Sequence, residues 1–224
     1  LQAAVLEQGA DLGIALDGDG DRLIMVDHQG EIVNGDKLIL IMALARARRG
    51  ELQGGVVGTV MSNLGMEQAF RVNNIEFVRA AVGDRYVLEM MKKNGWQLGG
   101  EASGHIICLD KSTTGDGIVA ALEVLQVMHD SGKSLTELAS EMDTCPQMMI
   151  NVEIARGFDI ATNTRITEAV AGVEAELAGR GRVVLRPSGT EPLIRVMIEG
   201  VDAAEVKNQC ELLADIVREA AAVN

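Results

Sequence analysis

Over the first part of the chain, short apolar runs alternate with longer segments of helical spacing. The runs have the length typical of buried strands, and we predict strands at residues 12–16, 23–26, 31–33, 55–60, 75–80 and 98–100. Helices are predicted at residues 1–8, 35–48, 63–71, 84–94 and 116–129, and Ser134 with Glu137 forms a capping box for one more. Asp36 is predicted to cap the second helix, and Ser62 or Asn63 the third. This alternation predicts an α/β fold, in which ligands collect at the carboxyl ends of strands.

The pattern changes near Cys145 and Pro146. Beyond them we predict strands at residues 148–154, 182–186 and 194–199 and helices at 161–178 and 203–222. This is the pattern of a compact α+β unit, distinct from what precedes it. We therefore expect a separate C-terminal unit.

An acidic loop, residues 17–22, follows directly on the first predicted strand and reads Asp-Gly-Asp-Gly-Asp-Arg. Alternate side chains of a strand share a face ~7 Å apart, and the glycines let the backbone curl so that the acids converge. Without a cation, three converging carboxylates would repel one another and raise each other's pKa. A hard divalent cation, Mg²⁺ before Ca²⁺, removes that cost. We predict a metal site at Asp17, Asp19 and Asp21, with Arg22 beside it to receive a phosphate oxygen.

Three other interpretations of the acidic loop can be compared with its sequence. A calcium-binding EF-hand needs Gly at the sixth loop position and Glu at the twelfth, where this chain has Arg22 and His28. A phosphatase with Asp17 as nucleophile stays open, although Asp21 stands where Thr or Val is usual and no late acidic pair follows. A solvated acidic turn is less favoured, because the preceding strand is entirely apolar.

An arginine loop, residues 186–192, joins two predicted strands and reads Arg-Pro-Ser-Gly-Thr-Glu-Pro. A bidentate guanidinium, hydroxyl donors and an accessible backbone N–H suit a phosphate dianion. Arg195 adds a second cation on the following strand. The alternative is an ordinary Ser-Gly hairpin turn, but two arginines in so acidic a chain favour phosphate.

A glycine loop, residues 99–105, carries a carboxylate, a hydroxyl and an imidazole that suit hydrogen bonds to sugar hydroxyls. These are Glu101, Ser103 and His105, although His105 could instead be a core histidine. His129 is predicted to be structural. Asp84 beside Arg85, and Asp116 between two glycines, fit helix caps better than ligand contacts. Asp84 and Arg85 could still orient a substrate.

Composition limits the function classes. The 224 residues suffice for two domains, and the net charge of −13 argues against nucleic acid and against an anionic membrane surface. The cysteines are odd in number and widely spaced, which is typical of reduced thiols in the cytoplasm. No apolar run approaches 18 residues, so no targeting or spanning segment is predicted. The chain begins at Leu1 rather than Met, so we expect a piece of a longer protein.

The acidic, glycine and arginine loops, in this order and spacing, resemble the motifs of the α-D-phosphohexomutase superfamily over essentially the whole chain. Residues 16–22, 82–87 and 190–197 make the chain most similar to the bacterial phosphoglucosamine mutases. The resemblance implies a four-domain enzyme around a central cleft. Residues 1–33 would end the second domain and carry the metal loop, residues 34–146 would form the third, a mixed-sheet α/β domain, and residues 147–224 the fourth. The fourth would be an α+β domain with an antiparallel sheet and two helices.

The resemblance also implies an activity, the interconversion of glucosamine 6-phosphate and glucosamine 1-phosphate through a phosphoserine and a bisphosphorylated sugar. One Mg²⁺ per active site and glucosamine or glucose 1,6-bisphosphate as primer are expected. Arg22 and His105 would be catalytic, and Glu101 and Ser103 would hold sugar hydroxyls. The residues expected to bind the phosphate that does not react are Arg186, Ser188, Gly189, Thr190 and Arg195.

One departure bears on activity. In the superfamily the phosphorylated serine lies in a Ser-His-Asn segment, and none of the serines in this chain is followed by His-Asn. We therefore expect the chain alone to be inactive and to need the N-terminal domains of the same protein as partner. Alternatives are a relative acting on mannose or glucose phosphates, or a non-catalytic phosphosugar-binding module. A homodimer is also open.

Overall fold

The computed structural model describes residues 1–155, 158–188 and 191–222, and the chain forms two compact units, Leu1–Asp143 and Thr144–Asn224. The first unit begins with helix α1 (Gln2–Gln8) and an antiparallel sheet of β1 (Leu12–Leu16), β2 (Leu23–Asp27) and β3 (Ile32–Val33) in that order. Leu16 pairs with Leu23 in the β1–β2 register, so the acidic loop is the connection of this hairpin.

The rest of the first unit is a mixed sheet with helices. Its elements in chain order are α2 (Gly35–Arg48), β4 (Val56–Thr59), α3 (Leu64–Val72), β5 (Phe77–Ala80), α4 (Asp84–Asn94), β6 (Leu98–Gly100), β7 (Ile106–Cys108), α5 (Gly117–Ser131) and α6 (Leu135–Ala139). The sheet order is β5-β4-β6-β7, with β4, β5 and β6 parallel and β7 antiparallel to β6. The segments after β4, β5 and β6 therefore emerge at one edge, where α/β folds bind ligands.

Helix α2 lies at the centre of the first unit and is buried along nearly its whole length. Apolar side chains of the β1–β3 sheet, the mixed sheet and α5 pack with it in one core, which includes Leu23, Leu98 and Val124. Because the hairpin and the mixed sheet share this core, the acidic loop and the glycine loop belong to one packed body.

Helix caps show where the predictions were right and where they were wrong. Asn63 caps α3, and Ser134 with Glu137 forms the predicted capping box. Asp36 does not cap α2. Asn34 does so, accepting from the Lys37 N–H, while the Asp36 carboxylate accepts from the Asn63 N–H at 2.8 Å. The Asp36 carboxylate thus connects the start of α2 to the start of α3 by a hydrogen bond.

The second unit is an antiparallel sheet covered by helices. Its elements are β8 (Gln147–Glu153), α7 (Thr164–Leu177), β9 (Gly181–Pro187), β10 (Leu193–Gly200) and α8 (Ala203–Ala222), with sheet order β8-β10-β9. Helix α7 begins at Thr164, capped by Asn163, and so starts later than the predicted residue 161. Strand β7, directly after the glycine loop, was not predicted. Together the two units confirm the predicted α/β and α+β classes, whereas the domain boundaries at residues 33 and 146 stay predictions.

Among the described residues, no helix combines the length and the apolar character needed to cross a bilayer.

Candidate functional site

The three carboxylates of the acidic loop come together as predicted. Ligand oxygens of Asp17, Asp19 and Asp21 all lie within 4.8 Å of one another. The loop is closed at its base by a hydrogen bond from the Asp17 N–H to the Arg22 carbonyl at 3.4 Å. Hard oxygen donors at this spacing form the set that Mg²⁺ prefers.

One oxygen of the Asp21 carboxylate is left for a cation to satisfy. Oδ1 of Asp21 is buried and has no hydrogen-bond partner among the described residues. A buried oxygen of this kind costs free energy unless a hydrogen bond or a metal satisfies it. Slight desolvation raises the pKa of Asp17, but hydrogen bonds from the Arg22 and Gly20 backbone N–H groups and the charge of the Arg22 guanidinium outweigh it, so this pKa lies below its usual value. Asp17 therefore stays ionised and able to bind a cation.

Arg22 presents its charge to solvent beside the acids. Its Nε lies 3.7 Å from Oδ2 of Asp17, and its side chain is 56% exposed. A guanidinium that is anchored at one edge and otherwise free can receive a phosphoryl oxygen.

The glycine loop is held by its own backbone and by two neighbouring elements. Its carbonyl oxygens accept from the Leu23 N–H, at Gly104, and from the Gly35 N–H, at Ala102. A Cβ built on Gly35 would overlap the Glu101 carbonyl oxygen, so the start of α2 approaches the loop more closely than a side chain allows. The glycine loop is therefore packed directly against β2 and the start of α2.

The side chains of the glycine loop differ in their environments. Oε1 of Glu101 accepts from the Gly83 N–H at 2.9 Å, and Ser103 is exposed. His105 is only 4% exposed, and its Nδ1 lies 3.0 Å from Oδ2 of Asp21. The structure thus joins the glycine loop to the acidic loop by a direct side-chain contact.

Other predicted residues lie at the surface. Asp84 and Arg85 are exposed at the start of α4, and Arg85 pairs with Glu89 one turn later at 2.8 Å. Asp84 makes no side-chain cap, because the cap position is Gly83. His129 was predicted to be structural, but its side chain is 85% exposed.

The arginine loop belongs to the second unit. Arg186 on β9 and Arg195 on β10 are directly opposite each other in the sheet register. Nε of both arginines and Oγ of Ser188 are buried and lack a hydrogen-bond partner among the described residues. Desolvation and the neighbouring Arg195 lower the pKa of Arg186. Gly189 and Thr190 lie outside the described residues.

A second arginine on the same face of β9 gives a contrast. Arg182 lies opposite Glu199, and its Nε contacts Oε2 of this fully buried carboxylate at 2.6 Å. The ladder therefore pairs opposite charges at one end and like charges at the end next to the arginine loop. Two adjacent guanidinium groups with unused buried donors are the features of an anion site.

Sequence reasoning missed the glycines that pack against these loops. Gly83 donates to Glu101 and has φ 127°, a conformation that favours glycine. The Gly117 N–H donates to the Gly20 carbonyl at 2.9 Å, and Gly115 lies against the His105 ring. The available signal was the Gly-Asp-Gly triplet at residues 115–117, in which only the cap Asp116 was interpreted.

The first unit carries the clustered acids and the glycine loop, and the second unit carries the paired arginines. Residues 34–145 match the family description "Phosphoglucomutase/phosphomannomutase, alpha/beta/alpha domain III", and residues 149–216 match the C-terminal domain of the same family. The chain belongs to the phosphoglucomutase/phosphomannomutase family. This confirms the resemblance to the α-D-phosphohexomutases and replaces the phosphatase interpretation.

Two curated relatives with high sequence identity are phosphoglucosamine mutases. The chain is 59% identical, over 98% of its length, to phosphoglucosamine mutase of Alkalilimnicola ehrlichii and to that of Methylococcus capsulatus. It spans about half the length of these curated relatives, 49% of each. In fold it is similar to Aspergillus fumigatus N-acetylphosphoglucosamine mutase in complex with GlcNAc-6P and magnesium, with a TM-score of 0.78 at 20% identity, over 93% of this chain and 48% of that one. Another structure of that fungal enzyme contains glucose 1,6-bisphosphate.

Proposed function

We propose that this chain is the part of a phosphoglucosamine mutase that holds the metal site and binds the phosphosugar. The whole enzyme would interconvert glucosamine 6-phosphate and glucosamine 1-phosphate, which supplies precursors for UDP-N-acetylglucosamine and peptidoglycan. The observation that carries the proposal is the convergence of Asp17, Asp19 and Asp21 within 4.8 Å, with one buried oxygen of Asp21 that no described residue satisfies. The identity of 59% to a curated phosphoglucosamine mutase supports this activity over the others of the family.

In this proposal the three aspartates hold Mg²⁺, which neutralises charge on a phosphoryl group in transfer. The guanidinium of Arg22 lies beside them and stabilises the same charge from its exposed side. Phosphoryl transfer needs little covalent chemistry from the protein beyond the nucleophile, so alignment and charge account for most of the rate. The nucleophile would be a phosphoserine supplied by the N-terminal half of the protein.

The sugar hydroxyls are assigned to Glu101 and Ser103. Glu101 is already oriented by the Gly83 N–H at 2.9 Å, which leaves its other oxygen to accept from a hydroxyl. Ser103 is exposed on the same loop and can donate or accept. Asp84 and Arg85, at the start of the helix that follows Gly83, are assigned to substrate orientation.

Arg186, Ser188 and Arg195 are assigned to the phosphate that does not react, together with Gly189 and Thr190. The support for this assignment comes from Arg186, Ser188 and Arg195, each of which has a buried donor atom that no described residue satisfies. Binding energy from this remote phosphate would align the reacting end of the sugar. The cysteines are buried and form no disulfide, which fits a cytoplasmic location for the enzyme.

The test is a coupled assay on the full-length protein with glucosamine 6-phosphate, glucose 1-phosphate and mannose 1-phosphate, primed with glucose 1,6-bisphosphate. We expect the highest kcat/KM with glucosamine 6-phosphate and complete dependence on Mg²⁺. A preference for mannose or glucose phosphate would assign the chain to another member of the family.

The 224-residue chain should be inactive in the same assay, because no Ser-His-Asn segment is present in it. Turnover by this chain alone would contradict the assignment of the nucleophile to the other half. The Asp19→Asn variant of the full-length protein should lose activity, with the Gly172→Ala variant as control, since Gly172 has open space around it.

A further inference from the structure

The His105 side chain contacts the acidic loop rather than solvent. Its Nδ1 lies 3.0 Å from Oδ2 of Asp21, and the residue is 4% exposed. The backbone of His105 also forms a β-bridge with Arg22, so side chain and main chain both bind the acidic loop. A buried imidazole held in this way is poorly placed to meet a sugar hydroxyl.

The opposite edge of the imidazole is closed by Gly115. A Cβ built on Gly115 would overlap Nε2 of His105 and lie only 2.5 Å from Cε1. Glycine is therefore required here for a steric reason and not for its backbone conformation, since Gly115 does not have a positive φ. The ring lies between Asp21 on one side and the main chain of Gly115 on the other.

The turn that carries Gly115 is itself attached to the acidic loop. The Gly117 N–H donates to the Gly20 carbonyl at 2.9 Å, and a Cβ on Gly117 would lie 2.6 Å from Cδ2 of Leu16. Asp116 caps α5 by accepting from Ile118 and Val119, which fixes the turn to a helix of 15 residues. The acidic loop, His105 and this turn therefore form one packed unit.

The consequence is seen at Asp21. Because Oδ2 contacts His105, the carboxylate is oriented with Oδ1 buried and left for a metal, since no residue in the described part of the chain bonds to it. We propose that His105 is a positioning residue that orients Asp21 for metal binding, and that the Gly115–Gly117 turn holds the His105 ring in place. The inference rests on the proposed metal site. It assigns His105 a role other than the catalytic one expected from the resemblance.

Partners of metal-binding carboxylates typically change metal affinity by about 10–100-fold when they are removed. The test is Mn²⁺ binding to the 224-residue chain, measured by electron paramagnetic resonance of the free ion. We expect His105→Leu to weaken binding by about 10–100-fold. We expect His105→Asn to weaken it less, because the Asn amide places an N–H close to the position of Nδ1. Loss of packing alone would not distinguish these two variants in this way.

A second variant leaves His105 in place. Gly115→Ala should displace the ring and weaken Mn²⁺ binding, whereas Gly172→Ala, a site with open space, should not change it. Melting temperatures of the metal-free variants show whether each one is folded. Unchanged Mn²⁺ affinity in folded His105→Leu or in Gly115→Ala would overturn the positioning role. Failure of the unmodified chain to bind Mn²⁺ would instead overturn the metal site of the proposed function, and the inference with it.

Discussion

The like-charged pair on β9 and β10 provides a prediction in which stability and binding change in opposite directions. Replacing Arg195 by Met removes one of two guanidinium groups that are opposite each other in the sheet register. Like charges at such positions destabilise a sheet by about 0.2–1 kcal/mol. Without phosphate, Arg195→Met should therefore raise the free energy of unfolding of the second unit, by about 0.5 kcal/mol.

A change of this size in the free energy of unfolding produces a small but measurable rise in Tm. For a unit of about 80 residues, 1 kcal/mol moves Tm by roughly 4–8 °C, so a rise of about 2–4 °C is expected. Binding should respond in the opposite direction. A hydrogen bond to a charged group contributes about 1.5–3 kcal/mol, so the affinity for glucosamine 6-phosphate should fall by about 10–150-fold.

The assay is differential scanning calorimetry of the 224-residue chain with and without glucosamine 6-phosphate, combined with isothermal titration. The matched control is Arg182→Met on the same face of β9, which leaves the fully buried Glu199 without this partner. It should lower the free energy of unfolding by about 3 kcal/mol. If Arg195→Met lowers Tm in phosphate-free buffer as Arg182→Met does, the reasoning is refuted. Equal stabilisation of Arg195→Met and the unmodified chain by the phosphosugar would refute the assignment of Arg195.

Three substitutions and one labelling experiment test other parts of the structure. Asp19→Asn should abolish the rise in Tm that Mg²⁺ produces and leave the metal-free Tm nearly unchanged, as thermal unfolding with and without Mg²⁺ will show. For Asp27, desolvation raises the pKa, but hydrogen bonds from Thr136 and from two backbone N–H groups outweigh it, so the pKa lies below its usual value. The stability that the Asp27 carboxylate contributes is therefore present above about pH 4 and lost as pH falls through its folded-state pKa, so urea titrations should show the deficit of Asp27→Asn shrinking below about pH 4. Gly35→Ala should destabilise the first unit by about 1–3 kcal/mol in urea unfolding, because the added Cβ overlaps the Glu101 carbonyl oxygen, and an unchanged midpoint would contradict the close approach. Burial raises the pKa of Cys108 to about 11, so this thiol should not react with a disulfide reagent at pH 8 until the chain unfolds, and rapid labelling of the native chain would contradict that.

The features that the sequence predicted are those controlled by local chain chemistry. Hydrophobic periodicity located most strands and helices, and cap residues such as Asn63 and Ser134 act within three residues of their own position. The convergence of the acidic loop was predictable for the same reason, since its three carboxylates and the glycines between them are consecutive. Asp36 shows the limit of this reasoning, because a residue suited to cap its own helix instead binds Asn63 at the start of another.

The features that the sequence did not predict depend on contacts between distant segments. Asp21 and His105 are 84 positions apart, and no spacing rule relates them. The glycines at positions 115 and 117 matter because of what their missing side chains leave room for, which only the packed structure shows. The sequence showed an imidazole able to form hydrogen bonds at His105, but it could not show whether the ring faced solvent or the acidic loop.

The β9–β10 ladder shows why function and stability can be separated in this chain. Arg182 and Arg186 lie on the same face of one strand, yet one is opposite a buried glutamate and the other is opposite Arg195. If both pairs served only folding, the second would be expected to have opposite charges as well, since that arrangement is more favourable in the absence of a ligand. Local disagreement with such a rule is expected at functional sites, where a ligand supplies the missing charge. The unfavourable pair next to the arginine loop is therefore itself an argument that an anion binds there.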